Sequence, residues 1–395
     1  MSQVAKRQRD VRLDFFRGIS MFIIFIAHVP GNPWFQYIPA RFGFSSAAEL
    51  FVFCSGVASG LAFGSVFVKR GFFEGTMRVI HRVWQVYWAH IALFMTLTAA
   101  SALGFYLTGI NYPAELGLAP LNADPAGGIL KFMTLRFIPN FTDIFPLYIV
   151  LLALIPVVMA LATLSRWVVF AAIGALWAYS HFFQFNLPLT NPDRAVWYFS
   201  PFAWQALFFT GFSFGMGWLP VPRLERGLLF RGCLTFVIIS VPLNFWAILE
   251  HFPAIDAFRD IILPEGNQMY LSPLRFFHFL ALAYVVLTLV DPWREKLTLM
   301  TPIITVGQQS LATFLASTTL VWIAGMVLDQ TGRGVMAVAA INLAGFGFII
   351  AVAYLTAFFK SPPWKASGDK RTQNSASIVR ESANPVARVV IESSR

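Results

Sequence analysis

The sequence predicts an all-α polytopic membrane protein of about ten transmembrane helices, with both termini in the cytoplasm. Three observations carry that expectation. Of 395 residues, 57% are hydrophobic and only 12% are charged, about half the charged share of a soluble domain. The apolar residues fall into runs near the ~20-residue length that a bilayer core requires. Lys and Arg are then strongly uneven across the segments between those runs. This composition excludes a disordered chain, a disulfide scaffold and an ordinary cytosolic enzyme.

The runs follow in order. The first, residues 13–30, is entered through R-L-D-F-F-R-G, which begins at Arg12, and carries two charges, Asp14 and Arg17, and a histidine. No small-residue cleavage site follows it, so it is expected to stay in the membrane. The second, 46–67, starts at Ser46 and holds the small residues Ser55, Gly56, Ser59 and Gly60, which suit close helix contact. The third, 83–108, is entered through a basic stretch. The fourth and fifth, 143–163 and 166–183, are parted by Ser165-Arg166. The sixth and seventh cover 202–219 and 229–249. The eighth, 273–290, follows Ser272-Pro273, and the last two span 302–327 and 335–359. Three parts result: a basic N-terminus (1–12), a ten-helix domain (13–359) and a basic tail (360–395) without apolar periodicity, expected to be disordered.

With the N-terminus inside, 21 of the 29 Lys and Arg residues fall on the cytoplasmic side and seven outside, with Arg17 within the first run. That bias sets both termini inside. It accounts for the net charge of +10 through topology and the lipid bilayer, with no nucleic-acid partner. Cys54 and Cys233 both sit in apolar runs, so neither a disulfide framework nor a metal site is expected. The long outer segments, 109–142 and 250–272, are rich in aromatic and amide residues near the span ends. They read either as an interfacial aromatic belt or as a platform for carbohydrate.

Ionisable groups inside spans are expensive and tend to mark function. Arg17 and His28 are 11 residues apart, three helical turns plus about 20°, so they share one face about 16 Å apart. Asp14 lies one turn from Arg17, close enough for mutual neutralisation. Glu49, near the outer end of the second span, is expected at the depth of His28, where a carboxylate would orient an imidazole general base. Arg78 and Arg82, spaced i,i+4 before the third span, read either as positive-inside charge or as a dock for a phosphorylated donor. His90 lies two turns further in. Asp143 opens the fourth span, and Trp204 and Gln205 lie early in the sixth. Arg275 and His278 stand one turn apart at the outer end of the eighth, as an interfacial anchor or as a cradle for an anionic acyl group or a polar acceptor.

Arg17 followed by ten residues and His28, after R-L-D-F-F-R-G, resembles the first-helix motif of the acyltransferase-3 superfamily of integral membrane enzymes. Within it the chain is similar to the OpgC-type succinyltransferases of osmoregulated periplasmic glucans. A-E-L-F-V-F-C-S-G (48–56), D-I-F-P-L-Y (143–148), F-S-P-F-A-W-Q (199–205) and L-S-P-L-R-F-F-H-F-L-A-L-A-Y (271–284) extend the likeness from about residue 10 to 355. The superfamily often has two arginines two residues apart at the third helix, where this chain has R-x-x-x-R, and often Asp at the position of Glu49. The resemblance implies an enzyme of the bacterial inner membrane. It would move a succinyl group from cytoplasmic succinyl-CoA to hydroxyls of a periplasmic glucan, with no permanently bound cofactor. His28 and Glu49 would be catalytic, and the other residues named above would bind substrate. The alternatives are a sugar O-acetyltransferase of the same superfamily and a secondary transporter for an anionic solute or glycan. No repeat relates residues 1–200 to 201–395, as many transporters would require.

Overall fold

The computed structural model describes residues 10–264 and 266–361. The N-terminal residues 1–9, Glu265 and most of the basic tail lie outside them. The described chain is built of helices, with one isolated β-bridge between Pro188 and Val196. Eleven helices form the bundle: α1 Val11–His28, α2 Ala47–Arg70, α3 Phe72–Thr108, α4 Ile144–Leu164 and α5 Arg166–Phe182. These are followed by α6 Pro201–Met216, α7 Leu228–Ser240, α8 Pro273–Leu297, α9 Thr301–Gln308, α10 Ser310–Thr331 and α11 Val335–Lys360.

Local chemistry sets several of the ends. Asp10 caps α1 by accepting from the Arg12 N–H at 3.0 Å. Ser46 and Glu49 form a reciprocal capping box at the start of α2. Gly71 and Gly109, at φ 89° and 76°, bound α3 with backbone that only glycine adopts freely. Ser165 caps α5 and supplies the expected break after α4.

Among the described residues, six helices are long and apolar enough to cross a membrane: α2, α3, α4, α8, α10 and α11. The other four expected spans are also helical but fall short of that measure. α1 carries Arg12, Asp14 and Arg17 within its 18 residues, and α5, α6 and α7 have 17, 16 and 13. Two expected spans are interrupted. Residues 229–249 stop being one helix at Ser240, because a turn lets Asn244 donate to the carbonyls of Ala40 and Gly43 at 2.6 and 2.8 Å. Residues 302–327 break at Gln309 into α9 and α10. The third helix is longer than its apolar run, starting at Phe72, since nothing between Gly71 and Gly109 stops it.

Close approach of backbones decides which helices touch. α2 and α6 cross through interleaved glycines. A Cβ on Gly56 would strike the Phe208 carbonyl and one on Gly60 the Phe212 carbonyl, while one on Gly211 or Gly215 would strike the carbonyls of Phe53 or Val57. This is small-residue packing of the kind that joins helices in lipid. Gly18 of α1 and Gly307 of α9 do the same, against the backbones of Ile303 and Asp14. Gly211→Val should therefore prevent α2 and α6 from seating. The expected result is loss of monodisperse protein after detergent extraction; a normal yield with an unchanged melting temperature would refute the crossing.

Candidate functional site

α1 supplies two groups that sit in different surroundings. His28, its last residue, is exposed at the end of the bundle that also holds the starts of α2, α4 and α8. Its Nδ1 lies 2.8 Å from the Ile24 carbonyl. A carbonyl only accepts, so Nδ1 carries the proton and Nε2 presents its lone pair in the neutral ring. Phe141 meets the imidazole edge to face, with centroids 6.2 Å apart. The backbone thus does the orienting expected of Glu49.

Glu49 is engaged elsewhere. It is fully buried, and its Oε1 accepts from Arg275 Nη2 at 2.5 Å and Nε at 2.8 Å. Its Oε2 accepts from the Ser46 N–H at 2.8 Å and the Ser46 hydroxyl at 2.6 Å. The expected His28–Glu49 pairing is therefore replaced by an ion pair between α2 and α8. The same pair occupies Arg275, so this guanidinium is not a free cation for an acyl carboxylate. His278, one turn on, is buried with both ring nitrogens used, by Ser45 Oγ at 2.8 Å and Ser240 Oγ at 2.9 Å. It ties α8 to α7 and to the approach to α2.

Asp143 likewise has a fixed partner, Arg194, at 2.6 Å, and Arg194 also donates to the Ile138 carbonyl at 2.8 Å. Trp204 and Gln205 serve packing contacts. The indole donates to the Gln268 carbonyl at 2.9 Å, and the amide donates to the carbonyls of Ile173 and Phe202 at 2.9 and 3.2 Å.

Three turns back along α1, Arg17 lines a narrow cavity of about 50 Å³ between α1, α2, α3, α4 and α10. Arg82 lines it too, so the structure joins two cations the sequence singled out separately. The rest of the wall is mainly aromatic and aliphatic, and no described lining residue is a carboxylate. Arg17 donates to Ser310 Oγ, while its Nε is buried without a partner. The Ser55 and Tyr148 hydroxyls also line the cavity and also lack partners. Buried polar groups are normally satisfied, so three unpartnered groups around one small, mainly apolar cavity mark a place for an acceptor atom, supplied by water or by a ligand. Arg82 itself donates to Gln85 at 3.0 Å.

Asp14 is buried and accepts from Gln308 at 3.3 Å, across the α1–α9 contact. Arg78 is exposed, one turn from Arg82 and outside the cavity lining. His90 is fully buried, has no partner for either nitrogen and stacks on Phe132 with centroids 4.7 Å apart. Among the described residues no group of His, Cys, Asp or Glu is placed to hold a metal ion.

Ser55, Tyr148 and Ser310 were not recognised in the sequence as cavity residues. For Ser310 a signal existed: Gln308-Gln309-Ser310 interrupts an apolar run, and broken helices at membrane depth line cavities. Tyr148 closes the D-I-F-P-L-Y stretch of the family likeness, but nothing local shows which face of α4 it occupies.

A family model described as OpgC protein matches residues 9–361 of the chain. No curated protein and no solved structure matches it.

Proposed function

The chain belongs to the OpgC protein family, and from that premise we propose that it is a membrane O-acyltransferase of the acyltransferase-3 superfamily. It moves a succinyl group from cytoplasmic succinyl-CoA to hydroxyls of a periplasmic glucan, within the bacterial inner membrane. The observation that carries this reading is the cavity that Arg17 and Arg82 share without any carboxylate. At about 50 Å³ the cavity has room for only a few atoms at a time: its cations suit a phosphate oxygen, and the unpartnered hydroxyls of Ser55 and Tyr148 suit an amide carbonyl of a pantetheine arm threading past. Along α1 the distance from Arg17 to His28 is about 16 Å, comparable to an extended pantetheine arm. The thioester would then lie near His28.

There the His28 Nε2 takes the proton from a glucan hydroxyl as its oxygen bonds to the thioester carbonyl carbon. The C–S bond then breaks, the ester forms, and the imidazolium returns the proton to the departing thiolate. The succinyl identity rests on the family resemblance, since Arg275 is held by Glu49.

The test is transfer in nanodiscs, with labelled succinyl-CoA and acetyl-CoA offered together to a neutral glucan. Succinyl ester is the expected product. Acetyl ester would move the assignment to a sugar O-acetyltransferase, and no ester from either donor would overturn the reading. Arg17→Gln should raise the KM for the acyl donor about 10- to 100-fold, the worth of a charge-assisted hydrogen bond, with the glucan KM unchanged. An unchanged donor KM would take Arg17 off the donor path.

The orientation that this reaction needs is ten spans with both ends inside. Reporters fused after Asn122 or Asp260 should then read as periplasmic and one after Glu225 as cytoplasmic. A cytoplasmic signal at 122 would contradict the topology.

A further inference from the structure

At the His28 end of the bundle, a second cavity of about 340 Å³ opens between the end of α5 and the segment leading into α8. That volume lies in the range of small-ligand sites, and none of the described lining residues is a carboxylate, a lysine or an arginine. Its polar groups are neutral amides, hydroxyls and an imidazole: Gln184, Asn267, Tyr270 and His181, with Pro273 and Leu274 as apolar wall.

Several of these groups keep capacity for a ligand. His181 stacks on Trp177 with centroids 6.3 Å apart and planes 24° apart, and its Nδ1 has no partner. The Tyr270 hydroxyl donates to the Gln184 carbonyl at 2.9 Å, which leaves its oxygen able to accept. The frame is held in uncommon backbone. Gln184 and Leu271 have φ of 51° and 43°, and residues held at positive φ tend to gather where function requires them. The Trp177 indole pins the Leu271 carbonyl at 2.9 Å, so the stacking platform and the strained segment form one unit. Asn267 links this unit to the interior, because its Oδ1 accepts from Arg275 at 3.3 Å.

The geometry points to this cavity as a binding subsite for one neutral hexose unit of a glycan. Lack of cations among the described lining residues disfavours phosphate and other anions, and the amides and hydroxyls disfavour a lipid tail. Alternating hydroxyls and C–H faces of a pyranose match neutral donors and acceptors set beside an apolar wall. The site is distinct from the Arg17 cavity and from His28. That the glycan is the acyl acceptor rests on the acyltransferase reading; that the cavity takes a neutral sugar does not.

Two variants isolate the subsite. Gln184→Gly removes the amide while easing the positive φ. His181→Phe keeps a ring on Trp177 and removes the nitrogens. The first measurement is binding of neutral glucan oligosaccharides to the protein in nanodiscs, without acyl donor. Each variant is expected to weaken binding about tenfold, at an unchanged melting temperature. The second is the transfer assay, in which the glucan KM should rise by a similar factor with kcat and the donor KM unchanged. Undiminished oligosaccharide binding by both variants would overturn the subsite, whatever the transfer result. Oligosaccharide binding by a wild-type protein that transfers no acyl group, weakened in the variants, would sink the acyltransferase reading and uphold the subsite.

Discussion

His28→Ala should lower kcat for acyl transfer about 10²- to 10⁴-fold, the usual contribution of a positioned general base, with little change in the donor KM. The size follows from Nε2, which the Ile24 carbonyl leaves as the basic nitrogen. The selectivity follows from place: His28 is the exposed last residue of α1, and among the described residues its hydrogen bond to Ile24 stays within that helix. Its removal should therefore leave the bundle folded. Steady-state kinetics on membranes with matched protein levels provide the measurement. A variant that transfers at the normal rate would remove His28 as the base.

The second large effect concerns stability. Arg275→Gln leaves the Glu49 carboxylate, with 0% of its side chain exposed, without its counter-charge, and breaking such a pair costs about 3–5 kcal/mol. Glu49→Gln should cost a similar amount by stranding Arg275. Because Gln also serves as the third residue of a capping box, that substitution keeps the start of α2 intact and isolates the ion pair. The double variant Glu49→Gln/Arg275→Gln strands no charge, so it should be more stable than either single change. Thermal unfolding in detergent reads all three. Losses that simply add in the double variant would show that the two residues do not act as a pair. A Glu49→Gln protein with normal stability and a collapsed kcat would instead restore Glu49 to the chemistry.

These two experiments separate residues that the sequence presents alike. His28, Glu49, Arg275 and His278 are all titratable groups near the same ends of their spans. The structure divides them by partner: His28 keeps its Nε2 lone pair without a partner among the described residues, while Glu49 and Arg275 hold each other and both His278 nitrogens are bonded by Ser45 and Ser240.

What the sequence alone determined is local or compositional. Apolar runs fixed most of the helices, because a backbone in lipid must satisfy its own hydrogen bonds. The 11-residue interval placed Arg17 and His28 on one stripe, because α1 is unbroken. Ser165 marked the α4–α5 break through its capping chemistry. The tertiary structure alone decided partnership. Glu49 finds Arg275 across 226 residues, and Arg17 finds Ser310 across 293. Which helices lie side by side depends on where glycines allow backbones to touch: Gly56 meets Phe208 and Gly60 meets Gly215 only once α2 and α6 have docked. A charge then takes whichever opposite group that docking brings within hydrogen-bond reach, since isolation in a low-dielectric interior costs more than any local preference supplies.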